Sequence, residues 1–153
     1  MNIEIIRFNQ NLAKYFTSLN IDWLEKYFVV EPIDHEMLSD PKKYIIDKGG
    51  LIFFAKVDEN IAGTFALIKL EENVYELSKM SVDPDFQGKR IGNKMLEFCL
   101  KEGKKLHAEK IVLYSNTKLE RAIHLYKKFG FKEIPLAHSE YERANIQMEI
   151  NLK

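Results

Sequence analysis

Residues 76–96 read ELSKMSVDPDFQGKRIGNKML, and this stretch joins two different patterns. Its first part is an apolar run typical of a β-strand, which stops at Asp83-Pro84, and a helical pattern begins near Arg90. Between the two patterns lie a glutamine, two glycines and two adjacent cations. A turn that only reverses the chain needs neither so much exposed backbone nor so much positive charge.

The start of a helix suits an anion, because its first backbone N–H groups have no partner within the helix and carry the positive end of the macrodipole. Gly88 and Gly92 let the backbone approach a ligand without a Cβ atom in between, and Lys89 and Arg90 add cationic donors. The junction therefore suits a phosphate or pyrophosphate, while a plain strand-to-helix turn is the alternative. It matches neither G-x-x-x-x-G-K-[ST] nor G-x-G-x-x-G.

The rest of the chain alternates between short strands and helices. The predicted elements are a strand at 3–5, helical segments at 12–28 and 33–47, strands at 51–58, 61–70 and 73–82, a helix at 90–106, a strand at 110–115, a helix at 117–130 and strands at 131–135 and 144–152. The two strands that flank the helix at 90–106 are expected to be parallel neighbours joined by a right-handed crossover. We predict an α/β (α+β) fold in a single domain over residues 1–153.

Composition argues against several classes of partner. The chain has 23 Lys plus Arg and 23 Asp plus Glu, so it has no electrostatic footprint for nucleic acid or an anionic membrane. The only cysteine, Cys99, lies in an apolar helical stripe and is expected to be a buried small hydrophobe rather than an acyl carrier. The histidines lack metal-ligand spacing. With no signal pattern and no apolar run near ~20 residues, we expect a cytoplasmic protein without a metal.

Two blocks of the sequence resemble signatures of the GNAT superfamily of N-acetyltransferases. Residues 87–92, QGKRIG, resemble its pyrophosphate-binding pattern [Q/R]-x-x-G-x-[G/A], with Arg90 where the pattern usually has its first glycine. Residues 116–133, NTKLERAIHLYKKFGFKE, resemble its second signature, an Asn before a helix that ends A-x-x-x-Y-x-x-x-G-F. The matching residues are Ala122, Tyr126, Gly130 and Phe131. The resemblance implies a GNAT-like mixed, mostly antiparallel central sheet with a parallel, splayed strand pair and flanking helices.

Proteins of this superfamily bind acetyl-CoA between two parallel strands that splay apart, commonly at a bulge. Strict alternation would place Leu77 on the face opposite Met80 and Val82, although all three look like core residues. One extra residue near Ser78-Lys79 would bring them into phase, and the alternative is a strand buried on both faces. The resemblance implies that the backbone of Met80 and Val82 pairs with the pantetheine arm. It also implies that the pyrophosphate is held by Gln87, Gly88, Lys89, Arg90, Ile91 and Gly92.

The activity that the resemblance implies is transfer of the acetyl group of acetyl-CoA to a primary amine, by direct attack in a ternary complex. An alkyl amine with a pKa of ~10.4 is mostly protonated at neutral pH, so the site must remove a proton. Glu76 is the candidate general base, directly or through water, and a solvent-facing strand residue is the alternative. Tyr126 is the candidate acid for the departing thiolate, and a core tyrosine is the alternative.

The acceptor cleft is expected between the first two helices and the final hairpin. Its candidate residues are Trp23, Tyr27, Phe28, Glu31 and Tyr141, whose aromatic and acidic character suits a small-molecule or peptide amine. Asn116 either contacts the pantetheine or a water, or caps the following helix, where Thr117 competes. The alternating last strand also suits a homodimer contact. Two other classes stay open: a non-catalytic acyl-CoA-binding or sensing module, and an interaction domain that binds no coenzyme A.

Overall fold

The structure is a computed structural model that describes residues 2–153. Its strands are β1 (Ile3–Arg7), β2 (Leu51–Val57), β3 (Asn60–Glu71), β4 (Val74–Val82), β5 (Lys110–Ser115), β6 (Lys132–Ile134) and β7 (Ile146–Asn151). Its helices are α1 (Ala13–Tyr27), α2 (Pro32–Ser39), α3 (Ile91–Lys105) and α4 (Glu120–Lys128). The strands form one sheet in the order β1-β2-β3-β4-β5-β7-β6. Only the β4–β5 pair is parallel within the described residues, which confirms the predicted mixed, mostly antiparallel sheet.

Both faces of the sheet are covered by helices, so successive side chains of a central strand enter different cores. In β2, Phe53 packs with α3 on one face, while Ile52 and Phe54 pack with α1 and α2 on the other. This arrangement explains why the sequence LIFFA shows no polar alternation. The fourth helix begins later than predicted, at Glu120, because residues 116–119 form a turn closed by a hydrogen bond from Leu119 N–H to the Asn116 carbonyl.

The parallel pairing between β4 and β5 is short. It consists of three residue pairs, from Val74 opposite Lys110 to Glu76 opposite Val112. Beyond Glu76, β4 stays paired with β3 on its other side, and β5 stays paired with β7. The two strands therefore splay apart as predicted, and a gap opens after Glu76.

β4 contains one extra residue relative to β3. Lys79 and Met80 together stand opposite the single residue Phe65, because the pairing shifts by one position there. Lys79 has a φ of 56°, in the left-handed region that non-glycine residues seldom adopt. As a result, Leu77, Met80 and Val82 all pack into the same core. This confirms the predicted bulge.

A buried ion network joins α2, the bulge and the segment that precedes β7. The side chain of Asp34 is 0% exposed, and its Oδ1 accepts a hydrogen bond from Lys79 Nζ at 2.5 Å. The guanidinium of Arg143 donates to both Asp34 oxygens, at 2.6 and 2.9 Å, and to Glu31 Oε2 at 2.7 Å. The other oxygen of Glu31 accepts the backbone N–H of Glu142 at 2.7 Å. Two cations and two carboxylates thus fasten three segments that are distant in sequence.

Asp34→Ala should destabilise the protein strongly, because it leaves Lys79 buried without its partner and removes two hydrogen bonds from Arg143. We expect the free energy of unfolding to fall by about 3–5 kcal/mol, measured by urea denaturation. The matched control is Asp47→Ala, which breaks an ion pair with Lys42 whose side chains are 52% and 58% exposed. That variant should lose less than about 1 kcal/mol. Equal losses in the two variants would contradict this view of the network.

Candidate active site

A cavity of about 1000 Å³ lies where β4 and β5 separate. Its walls come from β4 beyond Glu76, the end of β5, the second half of α1, the first turns of α3 and α4, and the segment before β7. Peptide groups of β4 that face the gap have no partner strand there, so they are available to a ligand. The backbone of Met80 and Val82, expected to pair with a pantetheine arm, lies on this wall.

The junction between β4 and α3 forms one end of the cavity. Five of its six predicted residues line the cavity: Gln87, Gly88, Arg90, Ile91 and Gly92. Lys89 is exposed and is not part of the lining. The Arg90 side chain does not cap α3, so the N–H groups of the first helical turn are left for another acceptor. These features are those that suit an anion at a helix N-terminus.

Two residues of this loop have left-handed backbone conformations. Gly88 has a φ of 79°, and a Cβ atom placed there would meet nothing within 4 Å. Arg90 has a φ of 64°, at the position where the GNAT pattern usually has a glycine. Arg90 therefore adopts a conformation that is usual for glycine, at a backbone cost of about 1–2 kcal/mol, and it adds a cation to the cavity.

Glu76 lies at the point where the gap opens. It is 6% exposed and contributes to the cavity wall. Burial raises its pKa to about 7; the positive charge of Lys79 and hydrogen bonding from Ser78 and Tyr141 lower this pKa, while Glu140 raises it. A carboxyl group that titrates near neutral pH is suited to accept a proton from an amine.

Tyr126 lies on α4 and also lines the cavity. Its ring packs edge-on against Phe131, with ring centroids 5.9 Å apart. Burial, and the nearby Cys99, raise its pKa to about 12, so the phenol keeps its proton at neutral pH. Cys99 is fully buried in the core, and burial raises its own pKa to about 12, as expected for a small hydrophobe rather than a nucleophile.

Four of the five substrate candidates line the same cavity. Trp23, Tyr27 and Phe28 form an aromatic wall, in which the Trp23 ring lies 5.5 Å from Tyr27 and 5.7 Å from Phe28. Tyr141 also lines the cavity, with its hydroxyl 3.3 Å from Ser78 Oγ. Lys118, which the sequence did not single out, donates to the Tyr27 carbonyl at 2.9 Å.

Glu31 differs from the other four, because its side chain belongs to the ion network and is not part of the cavity lining. The acidic lining expected from Glu31 is therefore absent at this position. Lys79 and Arg143 line the cavity instead. Arg143 carried no sequence signal, whereas a lysine at the point of broken alternation in β4 was a usable signal for Lys79.

Asn116 borders the cavity, but both ends of its amide are used within the protein. Its Nδ2 donates to the Arg143 carbonyl at 2.8 Å, and its Oδ1 accepts the N–H of Lys118 at 2.9 Å. This is a local turn before α4, which resembles the capping alternative; the pantetheine contact stays a prediction. The hydroxyl oxygen of Thr117 accepts a hydrogen bond from Asn145 Nδ2 and does not cap the helix.

Within residues 2–153 no three His, Cys, Asp or Glu side chains are placed to hold a metal ion. No helix in the same range is long and apolar enough to cross a membrane.

Glu76 should make stability depend on pH. Because burial raises its pKa from the ordinary 4.5 to about 7, its contribution to stability is complete below about pH 4.5 and is lost as the pH rises through about 7. Glutamine at this position stays neutral at every pH. The free energy of unfolding of Glu76→Gln, relative to that of the parent, should therefore increase as pH rises, by up to about 3 kcal/mol. Urea unfolding of both proteins between about pH 4.5 and about pH 9 measures this difference. A difference that does not change with pH would contradict the assignment.

The sequence is similar to those of known acetyltransferases. Residues 16–131 match the acetyltransferase (GNAT) family. The chain is 27% identical over 116 residues to the uncharacterized N-acetyltransferase YvbK of Bacillus subtilis, covering 74% of this chain and 75% of that protein. It is 35% identical over 107 residues to N-acetylaspartate synthetase of Mus musculus, covering 65% of this chain but only 34% of that longer protein.

Solved structures show the same architecture. A GNAT-family acetyltransferase from Staphylococcus aureus Mu50 superposes with a TM-score of 0.88 at 26% identity, covering 99% of this chain and 100% of that one. A Vibrio cholerae spermidine N-acetyltransferase in complex with CoA and spermine shares the fold, with a TM-score of 0.75 at 20% identity, covering 98% and 95% of the two chains. The splayed strands, the bulge, the glycine-containing loop and the family match lead to one conclusion: this chain belongs to the GNAT acetyltransferase family.

Proposed function

We propose that this protein is an acetyl-CoA-dependent N-acetyltransferase that acts on a primary amine. The observation that carries the proposal is the position of Glu76, a buried carboxyl group with a pKa of about 7 at the point where β4 and β5 separate. N-acetyl transfer by the curated relatives and a CoA complex of a neighbour with the same fold support it.

The residues at the junction fit the coenzyme. The N–H groups of residues 87–92 and the guanidinium of Arg90 would hold the pyrophosphate, with Lys89 adding charge from outside the cavity. The unpartnered edge of β4 at Met80 and Val82 would hold the pantetheine arm along the gap. When bound, acetyl-CoA supplies the thioester whose acetyl group is transferred.

Proton transfer is divided between two side chains. Glu76 accepts a proton from the incoming ammonium, directly or through a water, because its pKa lies near the working pH. Tyr126 holds a proton at its Oη for the leaving sulfur, because its pKa lies well above that pH. A cavity of about 1000 Å³ is large enough for direct attack, in which both substrates are bound at once.

A non-catalytic acyl-CoA-binding module is the second candidate. Such a module needs the anion site but has no use for a buried carboxyl group that destabilises the fold above neutral pH. The presence of Glu76 and Tyr126 on one cavity therefore favours catalysis. A homodimer and a cytoplasmic location stay predictions.

Binding of acetyl-CoA should depend on Gly92. We expect the parent to bind in isothermal titration calorimetry and Gly92→Glu to bind on the order of a hundredfold more weakly, because a carboxylate would meet the pyrophosphate. The matched control is Gly92→Gln, which has the same bulk without the charge and should lose much less. Both variants should fold, because the nearest atom to an added Cβ is Leu125 Cδ2 at 3.4 Å.

The two outcomes that count against the proposal are distinct. No binding by the parent even at millimolar acetyl-CoA would refute acetyl-CoA dependence. Unchanged binding by Gly92→Glu would show that the junction does not hold the pyrophosphate.

The roles of Glu76 and Tyr126 should separate in the pH dependence of kcat. In the parent, kcat should rise with pH through about 7 as Glu76 loses its proton. Glu76→Gln should lower kcat about 10²- to 10⁴-fold and abolish the rise of kcat with pH. Tyr126→Phe should also lower kcat, but its kcat should still rise with pH through about 7. Titration of the amine itself is common to all three enzymes and cancels in the comparison.

The control for the loss of a phenol is Tyr15→Phe, since Tyr15 lies on the surface of α1. Its kcat and pH profile should equal those of the parent. If Glu76→Gln retains the parent's pH profile, another group is the base.

A further inference from the structure

The charges of the ion network are sorted by sign with respect to the cavity. Lys79 and Arg143 line the cavity, whereas their partners Asp34 and Glu31 are not part of the lining. The carboxylates are buried, with side chains 0% and 9% exposed. The ion network is neutral in sum, but it turns its positive side towards the cavity.

Arg143 also has hydrogen-bonding capacity to spare. A guanidinium has five N–H donors, and three are used, two from Nη1 and one from Nη2. Its plane lies against the ring of Tyr141, with Cζ 4.7 Å from the ring centroid. The remaining donors and the held orientation suit a carboxylate.

Lys118 adds a full positive charge on the same side. Its Nζ donates to the Tyr27 carbonyl and lies 4.0 Å from the centroid of the Phe28 ring. Among residues 2–153, no carboxylate forms an ion pair with it. A carbonyl oxygen and an aromatic face orient this ammonium but leave its charge uncompensated.

Two carboxyl groups line the cavity, Glu76 and Glu120 at the start of α4. Glu140 is close enough to raise the pKa of both Glu76 and Tyr114. An ammonium therefore has a favourable place beside Glu76. A second cationic group on the same molecule would meet Lys118 and Arg143 instead.

We propose that the acceptor is an amino acid, whose amine faces Glu76 and whose carboxylate faces Arg143 and Lys118. The aromatic wall of Trp23, Tyr27 and Phe28 packs against the rest of the molecule. The site discriminates against polyamines by like-charge repulsion. This inference rests on the proposed function and specifies its substrate class.

The test compares acetyl acceptors that differ in one charge. The probes are the α-amino acids, the carboxamide of each, and the polyamines spermidine and spermine, with acetyl-CoA consumption as the readout. We expect at least one amino acid to have a kcat/KM about tenfold or more above that of its carboxamide and of both polyamines. At neutral pH a larger fraction of each carboxamide than of its amino acid has a neutral, reactive amine. This difference favours the carboxamide, so a preference for the amino acid would be stronger evidence for the proposal.

The variant Lys118→Gln then tests whether Lys118 binds the carboxylate of the acceptor. It should raise KM for the preferred amino acid about tenfold with little change in kcat, and leave KM for the matching carboxamide unchanged. The control is Lys101→Gln, an exposed lysine on α3, which should change neither value. Equal thermal midpoints in the variants exclude a folding defect.

Each result decides the matter. A polyamine or a carboxamide with a higher kcat/KM than every amino acid overturns the substrate class while upholding N-acetyl transfer. An unchanged preference in Lys118→Gln overturns the assignment of the carboxylate to this side of the cavity. Turnover of none of the probes by a protein that binds acetyl-CoA overturns the proposed function, and this inference with it.

Discussion

The buried carboxylate of Asp34 is the constraint on which the site depends. It binds Lys79, the residue that forms the bulge in β4, and Arg143, which precedes β7. The bulge places Lys79, a non-glycine residue, in a left-handed conformation, which is unfavourable by itself. An ion pair to that same residue stabilises the conformation, so the strand geometry and the network support each other. A salt bridge of this kind stabilises little in total but strongly disfavours alternative arrangements that would break it.

The same bulge and the short parallel pairing create both the cavity and its chemistry. Where β4 loses contact with β5, its backbone becomes free to bind a ligand, and Glu76 becomes the last residue held between the two strands. Burial there raises the pKa of Glu76 to about 7, which lowers stability above neutral pH while making the carboxyl a usable base. The fold therefore accepts a local loss of stability at the position where the proposed mechanism needs proton transfer.

The loop between β4 and α3 shows a similar compromise on a smaller scale. Arg90 occupies a backbone conformation that glycine adopts without strain. The arginine adds a positive charge to the cavity lining, in addition to the partial charge of the α3 N-terminus. The departure from the family pattern thus adds backbone strain and a positive charge at the same position, and α3 begins directly after it at Ile91.

Local sequence determined most of the elements of this protein. Apolar runs and the glycines of the junction placed the strands and α3 to within a few residues, and broken alternation at Leu77 and Met80 revealed the bulge, because these signals act between near neighbours. Glu76 and Tyr126 were found from the resemblance, and the structure places both on one cavity. Only the tertiary structure decided that Glu31 belongs to an ion pair, that Arg143 and Lys118 line the cavity, and that Asn116 serves a turn. Arg143 is 109 residues from Asp34 and 112 residues from Glu31 in the sequence. Lys118 is 91 residues from Tyr27. The identity of a charged residue does not indicate which distant residue will pair with it. The pairing depends on how the whole sheet brings distant segments together.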